Sequence, residues 1–395
     1  MNPITNVPAI EHRLDVVEAF STNPDIRTEV ITLLKRTCDA NRLIQRFTMA
    51  RGAADDMVSI ARTIEITEKL RVLLSAPENP PALQKLVENI IVPTKLAKSI
   101  RKAIDEDGVM QQQRAVEEET QALADLAAAA TKDASPRKPL KTLRILKEEH
   151  KEKFEAWVML PSASPTLKKL HAKLEELFKD QQILEHTLQE EFSASSLSLK
   201  WTPALAHNVH VKSIHSSEIK EKHYPITSTR STSAFHLPSW TTLGAAQDTT
   251  RLAIRAAESA LYSLLRASLI KTLPTIRPLS HLLASLDVLT TFSHLSQTHN
   301  LIRPVFITQP ATTLTSAIHL PVAHALSKLS LPFTSNSLII PPKGNRLHIL
   351  TGPNMSGKST YLRLIAHAHL LAQTGSYIPA AFASLGPVDA IYAHP

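Results

Sequence analysis

The sequence predicts a mainly α chain that carries a small α+β insertion and closes in an α/β domain. Three observations carry that expectation. Apolar residues recur at helical spacing through most of the chain before residue 300, one short stretch alternates at period two, and glycine crowds into the end. Ala54 to Leu74 places Met57, Ile60, Ala61, Ile64, Ile66 and Leu70 near a 3.6-residue period, the stripe of a long amphipathic helix. Leu167 to Phe192 repeats the habit, with Leu167, Leu170, Leu174, Leu177, Phe178, Ile183, Leu184 and Leu188 on one side and Lys, Glu and Asp on the other. Between these helices, Ala127 to Pro139 is rich in Ala, Lys and Pro and reads as a loop or frayed connection. In Ser195 to Lys212 the residues Leu197, Leu199, Trp201, then Val209 and Val211, alternate around Pro203, which predicts a short β hairpin. Helical periodicity resumes from Thr242 to Ser296. After Arg303-Pro304 the text turns strand-like, with Leu338 to Ile340 and Leu347 to Leu350 as short buried runs.

Composition bounds what such a chain can do. At 395 residues it is long enough for two or three domains with cores of their own. No run approaches the roughly 18 uninterrupted apolar residues of a membrane helix, so no membrane partner is expected. Cys38 is the single cysteine, which excludes an intramolecular disulfide and a cysteine-based zinc site and fits a reducing compartment. Met1 to Phe20 has the pattern of neither a secretory leader nor a transit peptide, so an address label is expected to be absent or to lie upstream. The net charge of +8 sits mainly in residues 236–395, which carry 11 basic and 4 acidic groups, not in a dense basic stripe. Charge alone therefore leaves a mildly basic solvated surface and a nucleic-acid surface both open.

One motif carries chemistry. Gly352-Pro353-Asn354-Met355-Ser356-Gly357-Lys358-Ser359 fits the G-x4-G-K-[ST] phosphate loop, between an expected strand, Arg346 to Leu350, and an expected helix, Thr360 to Thr374. Glycines let the backbone curl until successive N–H groups and a helix N-terminus face the phosphates. Lys358 would neutralise the β and γ phosphates and the Ser359 hydroxyl would ligate Mg2+, which makes ATP with Mg2+ the expected cofactor. The histidines are weaker signals. His207, His210 and His215 lie close together but in no known zinc spacing, and His367 and His369 point about 200° apart on a helix, so a surface or helix-packing role is expected. No catalytic triad or nucleophile can be argued from residue order.

Thr351 to Pro379, with T-G-P-N-M-S-G-K-S-T-Y-L-R and then A-Q-T-G-S-Y-I-P-A, is similar to the phosphate-loop region of MutS proteins, and Leu385 to Tyr392 resembles the strand that follows in that family. Pro332-Phe333-Thr334-Ser335-Asn336 resembles its Pro-Phe-x-x-Asn segment, which implies that Phe333 stacks on adenine beside the cofactor-binding residues Gly352 to Ser359 and Thr360. His12 to Glu18 resembles the R-L-D-A-V-E opening of the family's lever helices, and Leu286 to Leu289 its L-D-V-L close. Ser196 to Val211 takes the place of the clamp strands, and Phe235 to Leu243 matches the return into the lever in its Phe and its Leu. Arg51 to Asp56 and Leu199 to Pro203 are most similar to fungal mitochondrial members, which implies a mitochondrial location, with the nucleus as the alternative. The chain departs from the family at Ala317-Ile318-His319-Leu320-Pro321, where one extra residue separates His from Pro. The D-E-x-G-R-G acidic strand lies outside this sequence.

The resemblance implies a mainly α lever at 1–135 and 236–300, an inserted α+β clamp at 136–235, and an incomplete α/β phosphate-loop domain at 301–395. It further implies an ATP-dependent mismatch-binding protein, here a fragment, that grips double-stranded DNA by its backbone and works as a homo- or heterodimer. Lys200, Lys212, Lys220, Lys222 and Arg230 are the candidate phosphate contacts. The alternatives are a non-catalytic helical interaction module and an SMC-like or transporter-type ATPase with helical arms. In the latter, phosphate loops usually precede the arms.

Overall fold

A computed structural model describes residues 2–130, 156–202, 205–212, 219, 223–229, 231–344, 346–354 and 356–393. Of the residues singled out above, Pro203, His215, Lys220, Lys222, Arg230, Met355 and most of the expected connection at Ala127 to Pro139 lie outside the described residues; the first four positions of that connection are helical. The chain divides into two compact units, one of Met1–Arg42, Arg62–Thr94 and Thr272–Pro395, the other of Leu43–Ala61 and Lys95–Lys271.

The first unit holds α1 (Val7–Thr22), α2 (Pro24–Leu34), most of a helix that begins in the second unit, and α5 (Pro81–Val87). The shared helix is α4 (Ala54–Leu74), which follows α3 (Ala40–Thr48) and has the bounds its periodicity predicts. Asn6 caps α1 by accepting the N–H of Ala9, and Pro8 sits in the first turn, where its missing N–H costs nothing. Val16, Val17, Phe20, Ile66, Leu70 and Leu74 form one core with Leu282, Leu286 and Leu289 of α10 (Leu273–Thr298). Val16 and Val17 belong to the phrase at His12 to Glu18, and Leu286 and Leu289 to that at Leu286 to Leu289. They face each other across α1 and α10.

The same unit carries a four-stranded sheet ordered β5-β8-β6-β7, from β5 (Val305–Phe306), β6 (Thr312–Ala317), β7 (Asn336–Ile340) and β8 (Phe382–Leu385). β5 and β8 run parallel, and β6 is antiparallel to both β7 and β8. α11 (Leu320–Lys328) follows β6, and α12 (Lys358–Thr374) lays Leu364, Ala368 and Ala372 on Leu314, Leu338, Ala383 and Leu385 of the sheet. The expected strand Arg346 to Leu350 does not form. Those residues have no regular structure, and Leu347 and Ile349 are 82% and 80% exposed instead of buried. The physical reason is that no described strand offers them a ladder, and a segment without a neighbour gains nothing from being extended. Of Leu385 to Tyr392, only Leu385 lies in a strand.

The second unit contains α6 (Thr94–Ala103), α7 (Glu106–Ala130), α8 (Pro165–Glu191), α9 (Pro238–Lys271) and a sheet ordered β1-β2-β4-β3. The predicted hairpin is β1 (Ser198–Thr202) and β2 (Ala206–Lys212), paired with Lys200 opposite Asn208 and Ser198 opposite His210. β3 (Thr227–Ser228) and β4 (Thr232–Phe235) extend it. One face, with Leu199, Val209, Val211 and Phe235, shares a core with Leu188, Phe192 and Trp240. Helix α8 buries less than its sequence suggests: Leu167, Leu174 and Leu188 are buried, whereas Phe178 and Ile183 are 38% and 64% exposed. The buried positions, with Gln181 between them, are seven apart, a narrow seam like that of a coiled coil. In it Gln181 accepts a 2.9 Å hydrogen bond from Nε2 of the buried Gln247 on α9. The expected helix from Thr242 to Ser296 is two helices, broken at Thr272.

Candidate phosphate loop and basic sheet face

The motif Gly352 to Ser359 sits at the start of α12, and the chain turns there as its glycine allows. Gly357 is the residue before the helix, with φ +92° and ψ 10°, a left-handed conformation that residues with a Cβ avoid, and a Cβ built on it would meet nothing within 4 Å. The constraint on Gly357 is therefore torsional and not steric. No side chain caps α12, so the N–H groups of its first turn, which have no acceptor inside a helix, point out beside the loop. The Lys358 ammonium donates to the carbonyl oxygens of Gly352 at 2.6 Å and Pro353 at 2.7 Å, so its charge is held over the loop. Ser359 is exposed in the first turn, and Thr360 is half-buried beside it. Tyr361 fixes this turn to the sheet by donating from its hydroxyl to the Ser337 carbonyl at 3.2 Å, and burial pushes its pKa up, keeping it a donor. Phe333 is half-buried in the irregular stretch before β7. These residues fit a phosphate group: free helical N–H donors, a lysine and an exposed hydroxyl.

The other end of α12 is the more heavily bonded. Gln373 is 3% exposed; its amide donates to Ile4 O at 3.0 Å and Val388 O at 2.9 Å and accepts from Val388 N at 3.1 Å. Arg13 of α1 donates to Thr374 O at 3.2 Å. Arg303, ahead of β5, is bonded to Glu11, Asp15 and Glu18, three carboxylates on one face of α1, and they hold its guanidinium charged. Tyr377 lies near these charges, and burial, then the charge of Glu18, pushes its pKa up to about 12. Sequence reasoning missed Gln373 and Arg303. The three acids at positions 11, 15 and 18, spaced four and three apart, were the available sign of a basic partner.

Two of the expected DNA-contact residues lie on one side of the hairpin. Lys200 on β1 and Lys212 on β2 are exposed and belong to the alternate set of the hairpin, opposite the set that enters the core, with His210 between them. Burial, then the positive charge of Lys200, lowers the His210 pKa, so at neutral pH this face carries lysine charge and a neutral imidazole. The Lys200 carbonyl accepts from the Trp240 indole at 3.3 Å, which ties its strand to α9. His207 points the other way. It is buried, bonded to Asp248 at 2.8 Å and set edge-on to Trp240 at 5.2 Å. The two neighbouring histidines thus have different neighbourhoods. His369 packs into the sheet against the Thr312 hydroxyl at 3.0 Å, while His367 stacks on His319 at 4.7 Å. At the irregular Ala317 to Pro321 phrase, His319 caps α11 through its ring, with Pro321 in the first turn.

The sequence profile described as MutS domain III matches residues 1–293, which is more than half of the chain. The chain belongs to the MutS family. A second profile, MutS domain V, matches residues 348–394, which include the loop and α12. Among curated relatives, the DNA mismatch repair protein MutS of Rickettsia prowazekii (strain Madrid E) is 28% identical over 395 residues, covering 99% of this chain and 40% of that protein. The proteins of the same name from Rickettsia typhi (strain ATCC VR-144 / Wilmington) and Rickettsia bellii (strain RML369-C) are 27% and 24% identical, each over 99% of this chain and 40% of theirs. The chain thus spans about two fifths of the length of these relatives.

Proposed function

We propose that this chain provides the lever, the clamp and the phosphate-loop part of an ATP-dependent protein that holds mismatched double-stranded DNA in mismatch repair. The observation that carries the nucleotide half is the start of α12, where left-handed Gly357, uncapped N–H groups and Lys358 stand together. Gly352 to Ser359 and Thr360 would hold the phosphates of ATP, Ser359 would ligate Mg2+, and Phe333 would pack on the base. Bound ATP with Mg2+ would supply charge that the free helix N-terminus and Lys358 neutralise. The side chain of Lys358 would exchange its two carbonyl partners for phosphate oxygens. The DNA half rests on the exposed side chains of Lys200 and Lys212, on the same side of the β1–β2 hairpin as the half-buried His210, which suit backbone phosphates and read no base edges. A dimeric partner of MutS type and a mitochondrial location belong to the same reading, the latter on the wording of Arg51 to Asp56 and Leu199 to Pro203.

The test is binding of a fluorescent ATP analogue with Mg2+ by the 395-residue chain and its Lys358→Ala variant. A charge-assisted hydrogen bond contributes about 1.5–3 kcal/mol, so the variant should bind roughly tenfold or more weakly. Equal affinity of the two proteins would remove the phosphate loop from the account.

A further inference from the structure

The ladder between β6 and β7 is not continuous. Leu338 pairs with Leu314 and Asn336 with Ala317, so the register shifts between these pairs, where Ser316 takes a left-handed φ of +49°. A bulge leaves residues outside the ladder, and the strand start opposite it needs other support. Ser337 lies there and has two such bonds. Its hydroxyl oxygen accepts the Ser316 N–H at 3.0 Å, and its carbonyl accepts the Tyr361 hydroxyl at 3.2 Å.

The bond from Tyr361 joins the two halves of the nucleotide site. Tyr361 stands three residues after Lys358 at the start of α12. Ser337 stands four residues after Phe333, a stretch that spans at most about 14 Å. Within that stretch the Asn336 amide donates to Thr334 O at 3.1 Å, which braces the residues that follow Phe333. The two sides of the bond are unequally held. α12 is fixed without it, because Leu364, Ala368 and Ala372 pack on the sheet and Gln373 bonds Ile4 and Val388. Residues 331–335 have no regular structure, and all of them but Phe333 are exposed. Loss of the bond therefore frees the side that carries Phe333 and leaves the phosphate turn in place.

We propose that Tyr361 is a positioning residue for the nucleoside: its hydroxyl holds the Phe333 segment in register with the phosphate turn, so that the site distinguishes a nucleoside triphosphate from a bare polyphosphate. The inference rests on the phosphate-loop reading and adds to it a residue outside the motif. Tyr361 acts through Ser337, not by contact with the nucleotide. Tyr361→Phe keeps the ring that packs against the sheet and removes only the donor. The net contribution of a neutral hydrogen bond corresponds to roughly two- to tenfold in a binding constant.

The experiment is calorimetric titration of the 395-residue chain with ATP and with inorganic tripolyphosphate, each with Mg2+. Tyr361→Phe should weaken ATP roughly two- to tenfold and leave tripolyphosphate unchanged. Phe333→Ala should also weaken ATP alone, and the double variant should lose less than the two single losses combined, because both act on one contact. Lys358→Ala should weaken both ligands. In the ligand-free chain, amide exchange at residues 334–338 should quicken in Tyr361→Phe while that at 364–373 stays as in the parent. Equal weakening of both ligands by Tyr361→Phe, undiminished ATP binding, independent losses in the double variant, or unchanged exchange at 334–338 would each overturn the proposal and leave the phosphate loop standing. A parent chain that binds neither ligand, or a Lys358→Ala variant that binds both as the parent does, would remove the loop and the proposal with it.

Discussion

Gly375, the residue that ends α12, allows a quantitative test of how this helix is fastened. It has φ +93° and ψ 21°, its N–H is bonded to Ala372 O and that of Ser376 to Leu371 O, both at 3.0 Å, the paired closure that glycine favours. A Cβ at this position would fall 2.4 Å from Arg13 Cβ and 2.9 Å from its Cδ. The nearer atom is fixed to the backbone of α1 and cannot swing away. Gly375→Ala therefore brings two costs: about 1–2 kcal/mol for a left-handed alanine and about 1–3 kcal/mol for overpacking. The total of about 2–5 kcal/mol is an upper range, because costs at one position need not add.

Two further variants divide that sum. Gly344 is also left-handed, at φ +104°, but a Cβ there would meet nothing within 4 Å, so Gly344→Ala carries the torsional cost alone. Gly375→Asn carries mainly the steric cost, since asparagine visits the left-handed region more readily. The assay is urea unfolding with hydrogen exchange read over residues 358–377. All three tryptophans, Trp157, Trp201 and Trp240, lie in the other unit, so their fluorescence reports on that unit beside the exchange data. Gly375→Ala should be the most destabilised of the three. A loss below about 0.5 kcal/mol, the range of an uneventful surface change, or one no larger than that of Gly344→Ala, would refute the contact with α1 as a determinant of stability.

Three further outcomes are expected. Burial lowers the pKa of His171, His210, His319 and His369, so below the ordinary histidine value the unfolded chain binds more protons than the folded one. Stability should be full above about pH 6.5 and fall as pH drops from there towards the lowered folded values, above the carboxylate range; a flat urea midpoint through that window would contradict the burial of these rings. Duplex DNA binding by this chain should be weak and indifferent to sequence, with a shallow dependence of log affinity on log salt that Lys200→Glu with Lys212→Glu flattens further; a steep slope, or preference for a mismatch, would require contacts beyond this face. The stretch Thr351 to Tyr361 contains no carboxylate to hold Mg2+ or orient water, so the 395-residue chain should bind ATP without turning it over; phosphate release above about 0.01 per second, itself far below the usual enzyme range, and lost in Lys358→Ala would show that residues outside this stretch complete the site.

What could be read from the sequence follows from how local each determinant is. Ala54–Leu74 has the bounds its stripe predicts because its own residues specify it, with Asp55 and Asp56 in the first turn and a continuous apolar face behind them. The β1–β2 hairpin was legible for the same reason, since alternating Leu199, Trp201, Val209 and Val211 need only each other to define two faces. By contrast β3 and β4 are short and rich in Ser and Thr; β4 is a strand because β2 is there to pair with, and β3 because β4 is. In α8 the apolar pattern was broad, but how much of it is buried depends on the groove α9 offers, and that groove takes a seam seven residues apart. Phe178 is left at the edge under the Arg251 guanidinium, 5.5 Å from its ring centre.

The phosphate loop divides along the same line, and the division bears on its affinity. Its helical side is written in adjacent residues: Gly357 supplies the left-handed turn and Lys358 begins α12. Its strand side, Arg346 to Leu350, has the right residue types but no described neighbour to complete a ladder, so Leu347 and Ile349 face solvent. A loop anchored at one end holds its donors in place less tightly than one fixed at both, and Lys358 already bonds two of the loop's own carbonyls. Phosphate binding would then have to break those two bonds before new ones form, which would subtract from affinity. Anything that pairs the 346–350 segment should therefore tighten nucleotide binding through a site it never touches.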